Sequence, residues 1–307
     1  FFPGVVLYLS QWFPTFRRGR IMALFMSAIP VSGLLGSPFS GWILNHFGTG
    51  QGGLAGWQWM FLLQGIPTVI LGALAYFLLS DSFANAKWLK PHERAVLEAD
   101  HATDLANKPK TTTDSLAEVF KNPAIWAFGL IYFCIQSGVY AINFWLPSII
   151  KNLGFSDNLV IGWLSAIPYL LAAVFMLLVG RSADLRKERR WHLVVPMLMG
   201  ALGLVIAVNF ATTPAIAILG LTIATMGALT GLPMFWPVPT AMLSAGAAAG
   251  GLALINSMGQ MAGFLSPYIV GFVKDATGST DSALYLLAAV IVAGSVLALR
   301  MTRTLKV

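Results

Sequence analysis

The chain has 307 residues, 57% of them apolar and 10% charged, with a net charge of +7 and a mean hydropathy of +0.75. Soluble domains carry about 25% charged residues, so an ordinary water-soluble enzyme or binding module is excluded. The basic residues flank apolar stretches, which is what membrane orientation requires, so the positive balance does not point to nucleic acid.

Residues 21–80, 122–150, 158–180, 191–273 and 282–299 contain no Asp, Glu, Lys or Arg. A charged side chain near the centre of a bilayer costs roughly 2.5–3.5 kcal/mol even on the lenient insertion scale. These stretches therefore read as membrane spans of about 20 residues each. The fold class is all-α and polytopic in the lipid bilayer.

In chain order, residues 1–14 end one helix. The sequence opens Phe1-Phe2-Pro3-Gly4, without Met and inside an apolar run that lacks a basic n-region. It is not a signal peptide, and we expect it to be the C-terminal portion of a longer protein. Stretch 21–80 holds two helices, split by the Gly-rich turn Asn45–Gly53. Segment 81–121 is the only long polar one. A short helix is predicted over 91–104, with Pro91 in the favoured first position, and Asn107–Asp114 reads as flexible. Stretches 123–150 and 159–180 hold one helix each. Stretch 191–273 holds three, broken near Asn209–Pro214 and near Ser244–Gly250. Residues 282–300 form the last. The expectation is eight complete helices and one partial.

Each crossing changes sides. Blocks 1–20, 81–121, 181–190 and 300–307 then share one side, with 17 of the 19 Lys and Arg residues; only Lys151 and Lys274 fall on the other. The positive-inside rule makes the first side cytoplasmic, including the linker and the C-terminus. Trp57, Trp59, Trp126, Trp163 and Trp191 lie near span ends, as interfacial aromatics do. The lone Cys134 permits no intrachain disulfide and reads as a small buried apolar residue.

Two outward-running helices echo one another. One carries Gly33-Leu34-Leu35-Gly36-Ser37-Pro38-Phe39-Ser40-Gly41, the other Gly263-Phe264-Leu265-Ser266-Pro267-Tyr268-Ile269-Val270-Gly271. They lie six helices apart, and repeated halves are how many secondary transporters are built.

No Asp, Glu, Lys, Arg or His lies inside a complete span, and no Gly-x4-Gly-Lys-Ser/Thr phosphate loop exists. A membrane protease or metalloenzyme needs an acid, a His or a metal-ligand cluster beside its nucleophile. We therefore assign no catalytic residues, no metal and no cofactor. The polar residues within the spans are neutral. Tyr132, Gln136, Tyr140 and Asn143 fall at i, i+4, i+8 and i+11, one stripe on a helix. Lipid penalises such a stripe, so it faces protein or an aqueous cavity. Asn256 and Gln260 share another face with Ser257 beside them, and Gly251, Gly259 and Gly263 would admit a close neighbour. These groups either hydrogen-bond a polar solute or join helices. Ser27 and Ser32 are weaker candidates.

Three prolines in Gly231-Leu232-Pro233-Met234-Phe235-Trp236-Pro237-Val238-Pro239 remove backbone donors and break the helical ladder. That favours a gate helix near a pathway, with Trp236 as a wall, over a static kink. The turn Gly180-Arg181-Ser182-Ala183-Asp184-Leu185-Arg186-Lys187-Glu188-Arg189-Arg190 places Asp184 at a span end before an Arg pair. We expect Asp184 to pair with Arg and to accept from a helix N-terminus. Gly180, Asp184, Arg189 and Arg190 would thus form a cytoplasmic latch.

This turn resembles the signature loop of the major facilitator superfamily, in its second-half position. Phe2-Pro3-Gly4-Val5-Val6-Leu7-Tyr8, Trp88-Leu89-Lys90-Pro91-His92-Glu93-Arg94, Phe144-Trp145-Leu146-Pro147 and Gly250-Gly251-Leu252-Ala253-Leu254-Ile255-Asn256-Ser257-Met258-Gly259 resemble its anion:cation symporter branch. The resemblance implies twelve helices in two bundles. Residues 1–80 would be the remainder of the N-terminal bundle (helices four to six), 81–121 a cytoplasmic linker and 122–307 the C-terminal bundle (helices seven to twelve). It further implies a monomeric symporter of the inner membrane, moving an organic anion such as tartrate, phthalate, a sugar acid or hydroxyphenylacetate with a proton; Na+ as the coupling ion stays open. The coupling charges would lie on the first helix and the early fourth, before Phe2. The solute site implied here combines Gln136, Tyr140, Asn143, Trp236, Asn256, Ser257 and Gln260, although the branch often has Asn where this chain has Gln260. A carrier of a neutral or cationic solute, and a transporter fold serving as a sensor, are the competing readings.

Overall fold

The computed structural model describes residues 24–48, 50–107, 120–186, 188–242 and 245–303, together with Val5, Tyr8, Leu9, Trp12, Phe13 and Ile21. Among them there is no strand. The helices are α1 (Ala28–His46), α2 (Gly56–Leu78), α3 (Pro91–Asn107), α4 (Pro123–Asn152), α5 (Asn158–Arg186), α6 (Arg190–Asn209), α7 (Pro214–Phe235), α8 (Pro237–Met242), α9 (Ala245–Gln260), α10 (Ala262–Thr277) and α11 (Asp281–Met301). Seven segments among the described residues are long and apolar enough to span: Leu24–His46, Gly56–Leu78, Pro123–Asn152, Asn158–Arg186, Arg190–Asn209, Pro214–Thr240 and Asp281–Met301.

The eighth expected span is two 16-residue helices, α9 and α10, meeting at Met261. The chain does not turn there, because Met261 keeps helical angles (φ −59, ψ −26). Instead the ladder tightens. The Met261 carbonyl accepts from Phe264 N–H at 3.2 Å and from Leu265 N–H at 2.9 Å, a local i→i+3 bond laid over the regular one.

Turn chemistry sets the other boundaries. α1 stops at His46, and Gly50, Gly52 and Gly53 then take positive φ of 77, 65 and 76 around a short 3-10 turn. A side chain is rarely tolerated in that region, which is why glycines cluster there. α4 starts with Asn122 accepting from Ala124 N–H and with Pro123 at the first position. The break before α7 falls between Asn209 and Pro214, as expected. The surface helix runs to Asn107, three residues past its expected end; residues 108–114 of the expected flexible stretch lie outside the described residues.

By backbone contacts the chain forms two compact units, residues 1–26 with 43–111, and 27–42 with 112–307. In the first, Trp12 is buried and stacks on Trp88 with ring centroids 5.6 Å apart, while Tyr8 donates to the Ser80 carbonyl at 3.1 Å. α2 buries only Gly56.

In the second unit α4 is the hub, packing against α5, α7, α9, α10 and α11. Its buried face includes Ile125, Phe128, Ile131, Ile135, Ile142, Leu146 and Ile150. α6 and α7 lie so close that backbones touch: a β-carbon on Gly227 would stand 2.3 Å from Gly200 N and Pro196 O, and one on Gly203 2.3 Å from Ala224 N. Small residues allow this approach, which drives helix association where lipid removes the hydrophobic effect.

Candidate functional site

The stripe on α4 fans across its neighbours. Tyr132 is buried; its ring stacks on Phe235 at 5.0 Å and meets Trp236 edge-on at 4.9 Å. The same ring lies against Gly259, where a β-carbon would stand 2.0 Å from it. Two turns along, Tyr140 packs over Gly263, and its hydroxyl donates to Gln260 Oε1 at 2.6 Å. The tightened backbone at Met261 thus falls between the two glycines that carry the tyrosine rings.

Gln136 sits one turn from each tyrosine on α4 and is 6% exposed. Its Oε1 is buried and makes no hydrogen bond, and neither does the buried Oδ1 of Asn256 on α9. Leaving a buried acceptor unpaired costs about 1–3 kcal/mol, so each of these oxygens keeps a capacity that a polar solute or a water can take up. A third is Thr230 Oγ1 on α7, fully buried and unpaired. Thr222 and Thr225 on the same helix satisfy themselves by donating to Ile218 and Leu221 carbonyls; Thr230 does not. It stands alone in an apolar run, so no pattern in the sequence singles it out.

Asn143 and Ser257 behave differently. Asn143 is exposed and accepts from Tyr169 Oη of α5 at 2.7 Å, and Tyr169 in turn rests on Gly33 of α1. Ser257 is exposed and donates to Ala253 O of its own helix. Ser32 likewise bonds back, to Ile29 O. Trp236 is half-buried at the point where α7 gives way to α8, the break foreseen from the prolines.

At the end of α5, Asp184 pairs with Arg189. The expectation that Asp184 also accepts from a helix N-terminus is corrected: Glu188 does so, its Oε1 taking the Trp191 N–H at 2.8 Å. Asp184 lies on α5 itself, two residues before that helix ends, so the nearer carboxylate reaches the first turn of α6. Burial by itself raises the Glu188 carboxyl, but the bonds from Trp191 and from the His192 ring bring it below its ordinary value. Arg190 stacks its guanidinium over the Trp191 ring at 5.4 Å and forms no ion pair among the described residues. A β-carbon on Gly180 would meet only Met234 Cε at 3.6 Å. The structure also joins Ser182, Glu188 and His192, which no motif in the sequence singles out.

The Major Facilitator Superfamily profile matches residues 1–267. The chain belongs to that superfamily. It is a multi-pass membrane protein with the fold of the superfamily. Among superfamily relatives, it is 42% identical over 292 residues to the "Putative metabolite transport protein NicT" of Pseudomonas putida, covering 95% of this chain and 66% of that protein. It is 41% identical over 304 residues to a "Putative tartrate transporter" of Agrobacterium vitis, covering 99% and 69%. The chain therefore spans about two thirds of the length of these relatives. Its fold is similar to that of the E. coli xylose transporter XylE in a partially occluded inward-open conformation, with a TM-score of 0.67 at 16% identity, covering 98% of this chain and 66% of that one.

Proposed function

We propose that this superfamily member is the larger part of a secondary active transporter that carries an organic anion with protons by alternating access. The observation that carries the reading is the pair of orphaned buried amide oxygens, on Gln136 and Asn256, beside the Tyr132–Trp236 aromatic wall. Amides offer donors as well as acceptors, so a hydroxylated carboxylic acid finds partners there without a fixed charge. Tyr140 and Gln260 bound the site on α4 and α9, Thr230 adds a hydroxyl from α7, and Asn143 and Ser257 flank it. The relative named for tartrate supports the anion class.

The charged residues of the spanning segments stand at their ends, and their central parts carry none. We assign the coupling groups to the part of the carrier that the relatives have in addition. In this proposal residues 1–80 complete an N-terminal bundle, 81–121 link it on the cytoplasmic side, and 122–307 form the C-terminal bundle, in the inner membrane with a cytoplasmic C-terminus. The Asp184–Arg189 pair supports a latch at Gly180–Arg190 that must open when the inner side does.

The test is uptake by proteoliposomes holding the carrier expressed from its complete gene. With the interior alkaline, tartrate, phthalate or a sugar acid should accumulate, and a protonophore should abolish the accumulation. Accumulation that ignores the proton gradient, or that occurs only with a neutral sugar or an organic cation, contradicts the proposal.

A further inference from the structure

His192 stands in the first turn of α6 and is held at both ring nitrogens. Nδ1 lies 2.7 Å from Glu188 Oε2, and Nε2 lies 3.0 Å from Ser182 Oγ. An ionised carboxylate only accepts, so Nδ1 carries the hydrogen, and in the neutral ring Nε2 accepts from the serine hydroxyl. The ring is mostly buried, with 13% of its side chain exposed, against 33% for Glu188. Glu188 is fixed a second time by the Trp191 N–H.

These contacts run beside the ion pair. Ser182 is two residues before Asp184 on α5, and Glu188 is the residue before Arg189. One imidazole therefore grips the chain next to each member of the Asp184–Arg189 pair. Arg189 is 23% exposed and Asp184 61% exposed. An exposed pair of flexible side chains is worth little by itself, because solvent screens it and the side chains lose freedom on pairing. A largely buried imidazole brace that fixes the backbone beside each partner lowers the backbone freedom that pairing would otherwise take away.

We propose that His192 is a positioning residue for the Asp184–Arg189 latch, joining Ser182 to Glu188 so that the turn between α5 and α6 presents Arg189 to Asp184. The inference rests on reading that turn as a latch. Opening the inner side then requires the brace and the ion pair to part together. The brace also explains why a histidine, with two ring nitrogens facing opposite ways, follows the Arg189-Arg190-Trp191 run.

The test is amide hydrogen exchange across 181–193 in the complete carrier, in wild type, Asp184→Asn, His192→Phe and the double variant. Each single variant should speed exchange of the turn amides roughly fivefold to tenfold, the factor that one net hydrogen bond gives. The double variant should exchange no faster than the faster single variant, because both act on one element. His192→Asn, which keeps a donor for Glu188 and loses Ser182, should match Ser182→Ala at an intermediate rate. Multiplying effects in the double variant, or wild-type exchange in His192→Phe, would overturn the proposal. If melting curves show His192→Phe to be unfolded, Ser182→Ala with Asp184→Asn completes the same cycle. Exchange needs no solute, so a carrier that moves no organic acid leaves this test intact. Uptake that stays normal while His192→Phe leaves exchange unchanged refutes the brace alone.

Discussion

The hydroxyl of Tyr140 donates to Oε1 of Gln260 across 2.6 Å, joining α4 to α9 over 120 residues of sequence. The ring beneath that hydroxyl lies on Gly263. Tyr140→Phe keeps the ring and removes only the bond. It should lower stability by about 1 kcal/mol and raise the KM for the transported acid several-fold, with the melting temperature and uptake kinetics read on the same preparation. An unchanged KM would make the pair purely structural.

Tyr132 and Gly259 make the tighter contact. A β-carbon on residue 259 would stand 2.0 Å from the Tyr132 ring, which is itself wedged against Phe235 and Trp236. The ring has no free direction in which to yield. Gly259→Ala should cost about 1–3 kcal/mol, the usual range for overpacking, and a second change, Tyr132→Leu, should recover part of it in thermal unfolding.

Much of this was legible in the sequence, and the physics says which part. Spans and their ends follow from where charge is absent, since lipid acts on every residue of a span alike. The breaks at Asn209–Pro214 and at Trp236 follow from missing backbone donors. The discontinuity at Met261 was not legible, because residue 261 is neither Gly nor Pro and the tightening sits between two contacts made by another helix. Nothing in the sequence of the turn sets Glu188 above Asp184 as the partner of a helix start. That it takes the Trp191 N–H, rather than Asp184, depends on α6 starting at Arg190, and helix ends are the least certain feature of a sequence. Asn143 fell on the α4 stripe by spacing, yet it meets α5, because it lies three turns along the helix from Tyr132 at nearly the same angle, and height along the axis gives it a different neighbour.

The α6–α7 pair gives a sharper prediction on stability. A β-carbon at Gly227 would meet backbone atoms of Gly200 and Pro196, which cannot rotate away. Gly227→Val should therefore force the helices apart and depress the melting temperature more than Gly259→Ala does. Gly271→Val, where nothing among the described residues lies within 4 Å, should be nearly neutral.

Glu188 makes the turn sensitive to acid. Its carboxyl titrates lower in the folded protein than in the unfolded chain. The unfolded chain therefore binds the proton more readily, and the stabilisation is present above the ordinary carboxylate range. It is lost as the pH falls through the folded value. The protection of residues 188–193, measured as exchange relative to the intrinsic amide rate at each pH, should fall on acidification below about pH 4.5 in wild type. In Glu188→Gln the protection should be lower at neutral pH and flat across that window.

The central claim is that the neutral groups of α4 and α9 hold the organic anion. Titration calorimetry of tartrate, phthalate and a sugar acid against the purified complete carrier tests it most directly, alongside Gln136→Leu and Asn256→Leu. The account predicts that one of these acids binds, and that each substitution weakens it about tenfold or more while the fold is kept. Equal affinity in wild type and both variants would contradict it.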